Sequence, residues 1–170
     1  YEYRCYEQTD STLYYYQNAY DLATAIRNSK LADMVQNQMA SLYIEQGKYA
    51  LAKKALQPSL NNMDEPSRSG IFSIASKLYH KTGQLDSAAY YYRELLDFGT
   101  VYAKKAAHQG LAEIALTYGN LQEAALHLSL YEHYIDSINQ ITDTENIRRL
   151  NSLYNYQIRE KENKRLKTEN

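Results

Sequence analysis

The side chains of this chain best suited to chemistry are four histidines, His80, His108, His127 and His133, and a single cysteine, Cys5. A helical metal site needs ligands at i and i+4 so that both reach one ion. No two of these histidines stand at that spacing, and no HExxH occurs. One cysteine can form neither an internal disulfide nor a cysteine-rich zinc site, so Cys5 reads as a small buried hydrophobe. Nucleophilic chemistry fares no better. There is no GxSxG turn, no glycine-rich phosphate loop and no Cys–His arrangement with a third supporting group. The acidic residues are scattered on what read as solvent faces. The chain therefore reads as a non-enzyme, with no catalytic residue, metal or cofactor assigned.

The elements that carry these residues read as helices. In 170 residues there are two prolines, Pro58 and Pro66, and six glycines, and runs of alternating Val, Ile or Thr are absent. The expected class is all-α. Nineteen basic and twenty acidic residues nearly cancel, so no bulk field recruits nucleic acid, and no nucleic-acid partner is expected for this segment. No run approaches the length of apolar sequence that a bilayer requires, and no signal peptide is evident. The chain starts without Met in the middle of a polar-aromatic helical pattern, which reads as a piece of something longer.

A repeat organises those helices. Gly47, Gly83 and Gly119 recur at intervals of 36. Each is followed by a large residue two positions on (Tyr49, Leu85, Leu121), an alanine at five (Ala52, Ala88, Ala124) and a large residue at nine (Leu56, Tyr92, Leu128). Four positions before each glycine stand Tyr43, Tyr79 and Ala115. Glycine ends a helix in the left-handed conformation, a polar residue such as Asp86 caps the next, and alanine lets two antiparallel helices approach. One such hairpin cannot bury its apolar face alone, so the units must stack.

This pattern resembles the tetratricopeptide repeat (TPR). With the glycine at the family's fifteenth position, units start near Asp33, Ser69 and Lys105. The family's small eighth position is matched by Ala40, Ser76 and Ala112, and its alanine at twenty in all three units. The match covers roughly residues 31–139. The family's Trp at four is replaced by Gln36, Phe72 and His108, the final-loop Pro is missing and the period exceeds the family's by two. His108 thus falls on a core-facing position. The resemblance implies a right-handed superhelical solenoid of antiparallel helix hairpins. The expected segments are a partial unit over 1–30, three repeats over 31–66, 67–100 and 101–142, and a long C-terminal capping or connector helix over 143–170.

In the partial unit, Thr9–Ala23 parallels Leu85–Leu96 and reads as a second helix, with its first helix partly present in Tyr1–Gln8. In the last segment, Ile147, Leu150, Leu153, Tyr154 and Ile158 fall at helical steps and are expected to pack on the last repeat. Beyond them the stripe fades into mixed charge, seven positive against five negative over 143–170. The stretch SLYNYQIREKENKRLK after tyrosine-rich repeats is similar to the corresponding part of bacterial membrane-tethered TPR regulators. In these an extracytoplasmic repeat domain leads through such a helix into a membrane segment and a signalling output. Membrane attachment would then run only through sequence beyond Asn170.

The TPR resemblance also implies a ligand groove on the first helix of each unit. Its positions map onto Met34, Asn37, Ser41, Ile44 and Glu45, then Gly70, Ser73, Lys77, His80 and Lys81, then Ala106, Gln109, Glu113, Leu116 and Thr117. Lys77, His80 and Lys81 should make the middle of the groove cationic and suit an acidic group of a peptide. The implied function is a protein- or peptide-binding scaffold serving as the sensor of a membrane-tethered signalling or transcription regulator, on the periplasmic side. A stand-alone cytoplasmic adaptor or peptide-responsive regulator, or a structural assembly factor using its tyrosines as an edge, are the alternatives. Nineteen tyrosines and no tryptophan occur, and in Tyr14–Tyr16 and Tyr90–Tyr92 one or two of each triplet must face outward. Ligand identity and oligomeric state are left open.

Overall fold

The computed structural model describes residues 2–62 and 67–169, with side chains described over 11–62 and 67–165. Cys5 and the expected repeat boundary at Pro66 lie outside these described side chains. Among the described residues the chain is all-α: α1 (Glu2–Ala25), α2 (Ser29–Glu45), α3 (Tyr49–Asn61), α4 (Arg68–Lys81), α5 (Leu85–Phe98), α6 (Val101–Thr117) and α7 (Leu121–Glu169).

Four of the connections are the same tight turn. At Gly47 the backbone φ is +70°, and the Lys48 amide donates to the Tyr43 carbonyl at 2.8 Å while Gly47 donates to Ile44 at 3.0 Å. Gly83 and Gly119 repeat this with φ of +74° and +72°, closing onto Tyr79 and Ala115. The paired bonds satisfy the last carbonyls of a helix, and the left-handed residue between them favours glycine. The fourth turn carries Arg27 at φ +55° in the glycine's place, with Asn28 donating to Ala23 at 2.9 Å. Asp86 does not cap α5. Gln84 holds that position, and the Asp86 carboxylate in the first turn instead accepts from the Tyr118 hydroxyl at 3.0 Å.

These turns fold α2 onto α3, α4 onto α5 and α6 onto α7. Each first helix also touches the first helix of the next hairpin, α2 with α4 and α4 with α6, while contacts among the described residues never reach further along the chain than that. Among the described residues the contacts therefore run serially, each hairpin against the next. The small residues of the repeat are buried: Ala52, Ala88 and Ala124, as are Ala40, Ser76 and Ala112. Around them lie two apolar clusters. Leu56, Ile71, Ala75 and Leu78 belong to one; Phe72, Tyr92, Leu95 and Leu111 belong to the other. Tyr79 and Tyr91, stacked with ring centroids 5.5 Å apart, pack against both.

The array ends differently from the expectation. At the same register position Leu56 is 0% and Tyr92 6% exposed, each covered by the helix that follows, whereas Leu128 is 43% exposed. Among the described residues no helix follows α7 to cover it, and Leu121 is likewise exposed. Nor does a separate capping helix begin at 143. Without a Gly or Pro to stop it, α7 runs unbroken for 49 residues, about 73 Å at 1.5 Å per residue. From 139 to 165 every residue is exposed. Ile147, Leu150, Leu153, Tyr154 and Ile158 therefore do not pack on the last hairpin. At the other end, α1 is one continuous helix and not a hairpin divided near Gln8. No described helix is long and apolar enough to cross a membrane.

Candidate functional site

Because α2, α4 and α6 lie side by side, the groove positions of all three converge on one cleft of 860 Å³. Ser41 and Glu45 enter from α2, Ser73, Lys77, His80 and Lys81 from α4, and Gln109 and Glu113 from α6. Ile44 and Ala106 also line it; Gly70, Leu116 and Thr117 do not. Asn37 is separated from the rest: it borders a second cavity of 350 Å³ with Met34, Asp33 and Ser59.

The floor is supplied by Tyr92 and Leu95 of α5 and by Gly110 of α6, none of which the groove positions include. A Cβ at position 110 would overlap the Tyr92 ring, so the glycine is what lets the ring lie flat against α6. The Tyr92 hydroxyl then reaches His80 Nδ1 at 3.1 Å, and His80 Nε2 stands 3.7 Å from Glu113 Oε2. Gln109 Nε2 donates to the other Glu113 oxygen at 3.0 Å. The direction of the Tyr92–His80 bond follows the imidazole tautomer, and the nearby Glu113 carboxylate favours a proton on Nε2, with Nδ1 accepting from the Tyr92 hydroxyl. Burial, reinforced by the Glu113 charge, pushes the Tyr92 hydroxyl up to about 12, while a hydrogen bond with Ser76 pulls the other way. Tyr92 therefore stays uncharged throughout the ordinary pH range.

The charge pattern follows from the groove positions that the repeat register names on the three helices. Lys77 and Lys81 do stand at the centre on α4, but Glu45 and Glu113 flank them from either side in the same cleft. The site offers two cations between two anions, with Ile44 and Leu95 as apolar floor, and not a uniformly cationic surface. Such a lining suits a segment that brings charge of both signs and hydrogen-bonding groups along its length.

A second polar cluster lies outside the cleft. His108 of α6 and His127 of α7 meet through Nδ1 at 2.9 Å, with Tyr134 stacked on His108 at 5.4 Å. His108 is buried, as its core-facing position implied, but its partner stands 19 residues away and no local spacing announced it. Among the described residues no group of three or more His, Cys, Asp or Glu is placed to hold a metal ion. The tyrosine triplets divide as their geometry requires: Tyr14, Tyr15 and Tyr90 are exposed, Tyr91 is half-buried and Tyr92 is buried.

No family model matches the chain, and no curated protein matches it.

Proposed function

We propose that this chain is a TPR-type solenoid whose α2–α4–α6 cleft binds an extended or helical segment of another protein. The observation that carries this reading is the convergence of Ser41, Glu45, Ser73, Lys77, His80, Lys81, Gln109 and Glu113 on one cleft. These positions come from three helices 36 residues apart in register, an arrangement that a stacked repeat produces. In this reading an acidic group of the partner meets Lys77 and Lys81, and basic groups on either side meet Glu45 and Glu113. The unbroken α7, leading away from the hairpins, supports a connector role and with it the reading as the sensor region of a membrane-tethered regulator.

The test is selection of peptides from a displayed library on the intact chain. Binders should lose affinity about tenfold or more in Lys77→Ala/Lys81→Ala, as expected for paired interfacial charges, and should be blocked by the cleft-filling Ala106→Trp. Tyr90→Ala, on the outer surface, should leave binding intact. Loss in Tyr90→Ala with retention in the cleft variants would replace the groove by an edge surface.

A further inference from the structure

The joint between α6 and α7 holds a contact that the cleft does not explain. His108 and His127 face each other with Nδ1 atoms 2.9 Å apart and ring centroids 5.2 Å apart. Two imidazole nitrogens at hydrogen-bonding distance need a single proton between them: two protons put donor against donor, and none puts lone pair against lone pair. His108 is only 6% exposed and is held on Tyr134. It therefore has little room to turn away when the count is wrong.

We propose that the His108–His127 pair is a proton-operated latch: one proton shared between the two Nδ1 atoms closes α6 on α7, and the joint opens when both rings are charged and each Nδ1 carries its own proton. The groups around it favour the singly protonated state. Lys104 on α6 and Arg93 on α5 oppose added positive charge, while on α7 itself Glu123, 4.0 Å from His127 Nε2, favours it; His133, also on α7, packs against Tyr134 at 5.9 Å. Burial, then His127 and Lys104, holds His108 below the ordinary value of 6.5. Burial also holds His127 below it, with Glu123 working against and Arg93 with the shift. A histidine lowered on folding binds more protons in the open state than in the closed one. The closed joint is thus fully stable above 6.5 and loses stability as pH falls below that value through the folded values. What opens is the attachment of the helix whose far half projects from 139 onward, so acidification would free the projecting helix from the repeats.

Hydrogen exchange of the whole chain, corrected for intrinsic exchange, tests this between about pH 7.5 and 5, the span over which histidines titrate. Amides of 121–138 should lose protection, by about tenfold for each pH unit that the pair's combined shift spans, while those of α2 and α3 hold theirs. In His108→Asn/His127→Asn, where two amides can share one hydrogen bond without titrating, the loss should disappear. Persistence of the loss in that variant overturns the proposal, as does unchanged protection in the wild type. Should the double variant not fold, ring nitrogen resonances of the wild type decide. One Nδ1–H shared between the two rings, with both titrating below 6.5, supports the latch; two unprotonated Nδ1 atoms overturn it.

Discussion

Gly110 lies directly beneath the Tyr92 ring, and any side chain there would occupy the space that the ring fills. That one missing methyl group sets the depth of the cleft floor and brings the Tyr92 hydroxyl to His80. Gly110→Ala should therefore cost about 1–3 kcal/mol, the usual range for overpacking a dense core. It should also break the Tyr92–His80 bond. Chemical denaturation gives the first quantity and the His80 ring resonances the second. A variant as stable as the wild type would mean that the ring is not seated on this glycine.

Tyr92 makes an alkaline prediction with a definite sign. Its folded value of about 12 stands above the ordinary 10.0, so the folded state keeps a proton that the unfolded state releases. That contribution is complete below 10 and is lost as pH rises toward 12. The wild type should lose stability more steeply than Tyr92→Phe above about pH 10. Parallel slopes would deny Tyr92 its buried, uncharged state. At neutral pH the same substitution should cost about 1 kcal/mol for the lost hydrogen bond.

The four equivalent turns predict two substitutions of opposite effect. Gly83→Ala forces a side chain into φ +74° and should destabilise by about 1–2 kcal/mol, although nothing lies within 4 Å of the added methyl. Arg27→Gly relieves the same strain at φ +55° and should stabilise by roughly 1 kcal/mol. Equal signs in the two melts would refute the shared turn geometry.

Removing residues 143–169 should leave the repeats standing. All described side chains in that stretch are exposed, and losing such residues changes stability by about 0.5 kcal/mol or less. A fall in melting temperature of more than about 5 °C would show that the helix does cap the array after all.

Much of this architecture is legible in residue order. The spacing of Gly47, Gly83 and Gly119 locates three turns, and the alanines five positions later locate buried contacts, because both demands are local and tied to residue size. The fourth turn escapes that reading because Arg27 fills a glycine position and side-chain type no longer marks the backbone. Gly110 goes unnoticed for the opposite reason: a glycine inside a helical pattern gives no sign of which ring rests on it. The fading stripe after Asp143 suggests a boundary, yet apolar pattern governs packing and not helix continuity, and no residue from Leu121 to Glu169 stops the helix. Glu45 and Glu113 are legible as groove positions from the repeat register, while their proximity to Lys77 and Lys81 is set by the packing of α2, α4 and α6.

The most direct measurement is amide-shift mapping of the labelled chain titrated with a peptide selected on it. The cleft account predicts perturbations at Ser41, Glu45, Ser73, Lys77, Gln109 and Glu113, on three helices at once, with saturation at one peptide per chain. Perturbations gathered instead on Tyr90, Tyr102 or the exposed stripe from Ile147 to Ile158, with the cleft silent, would contradict it.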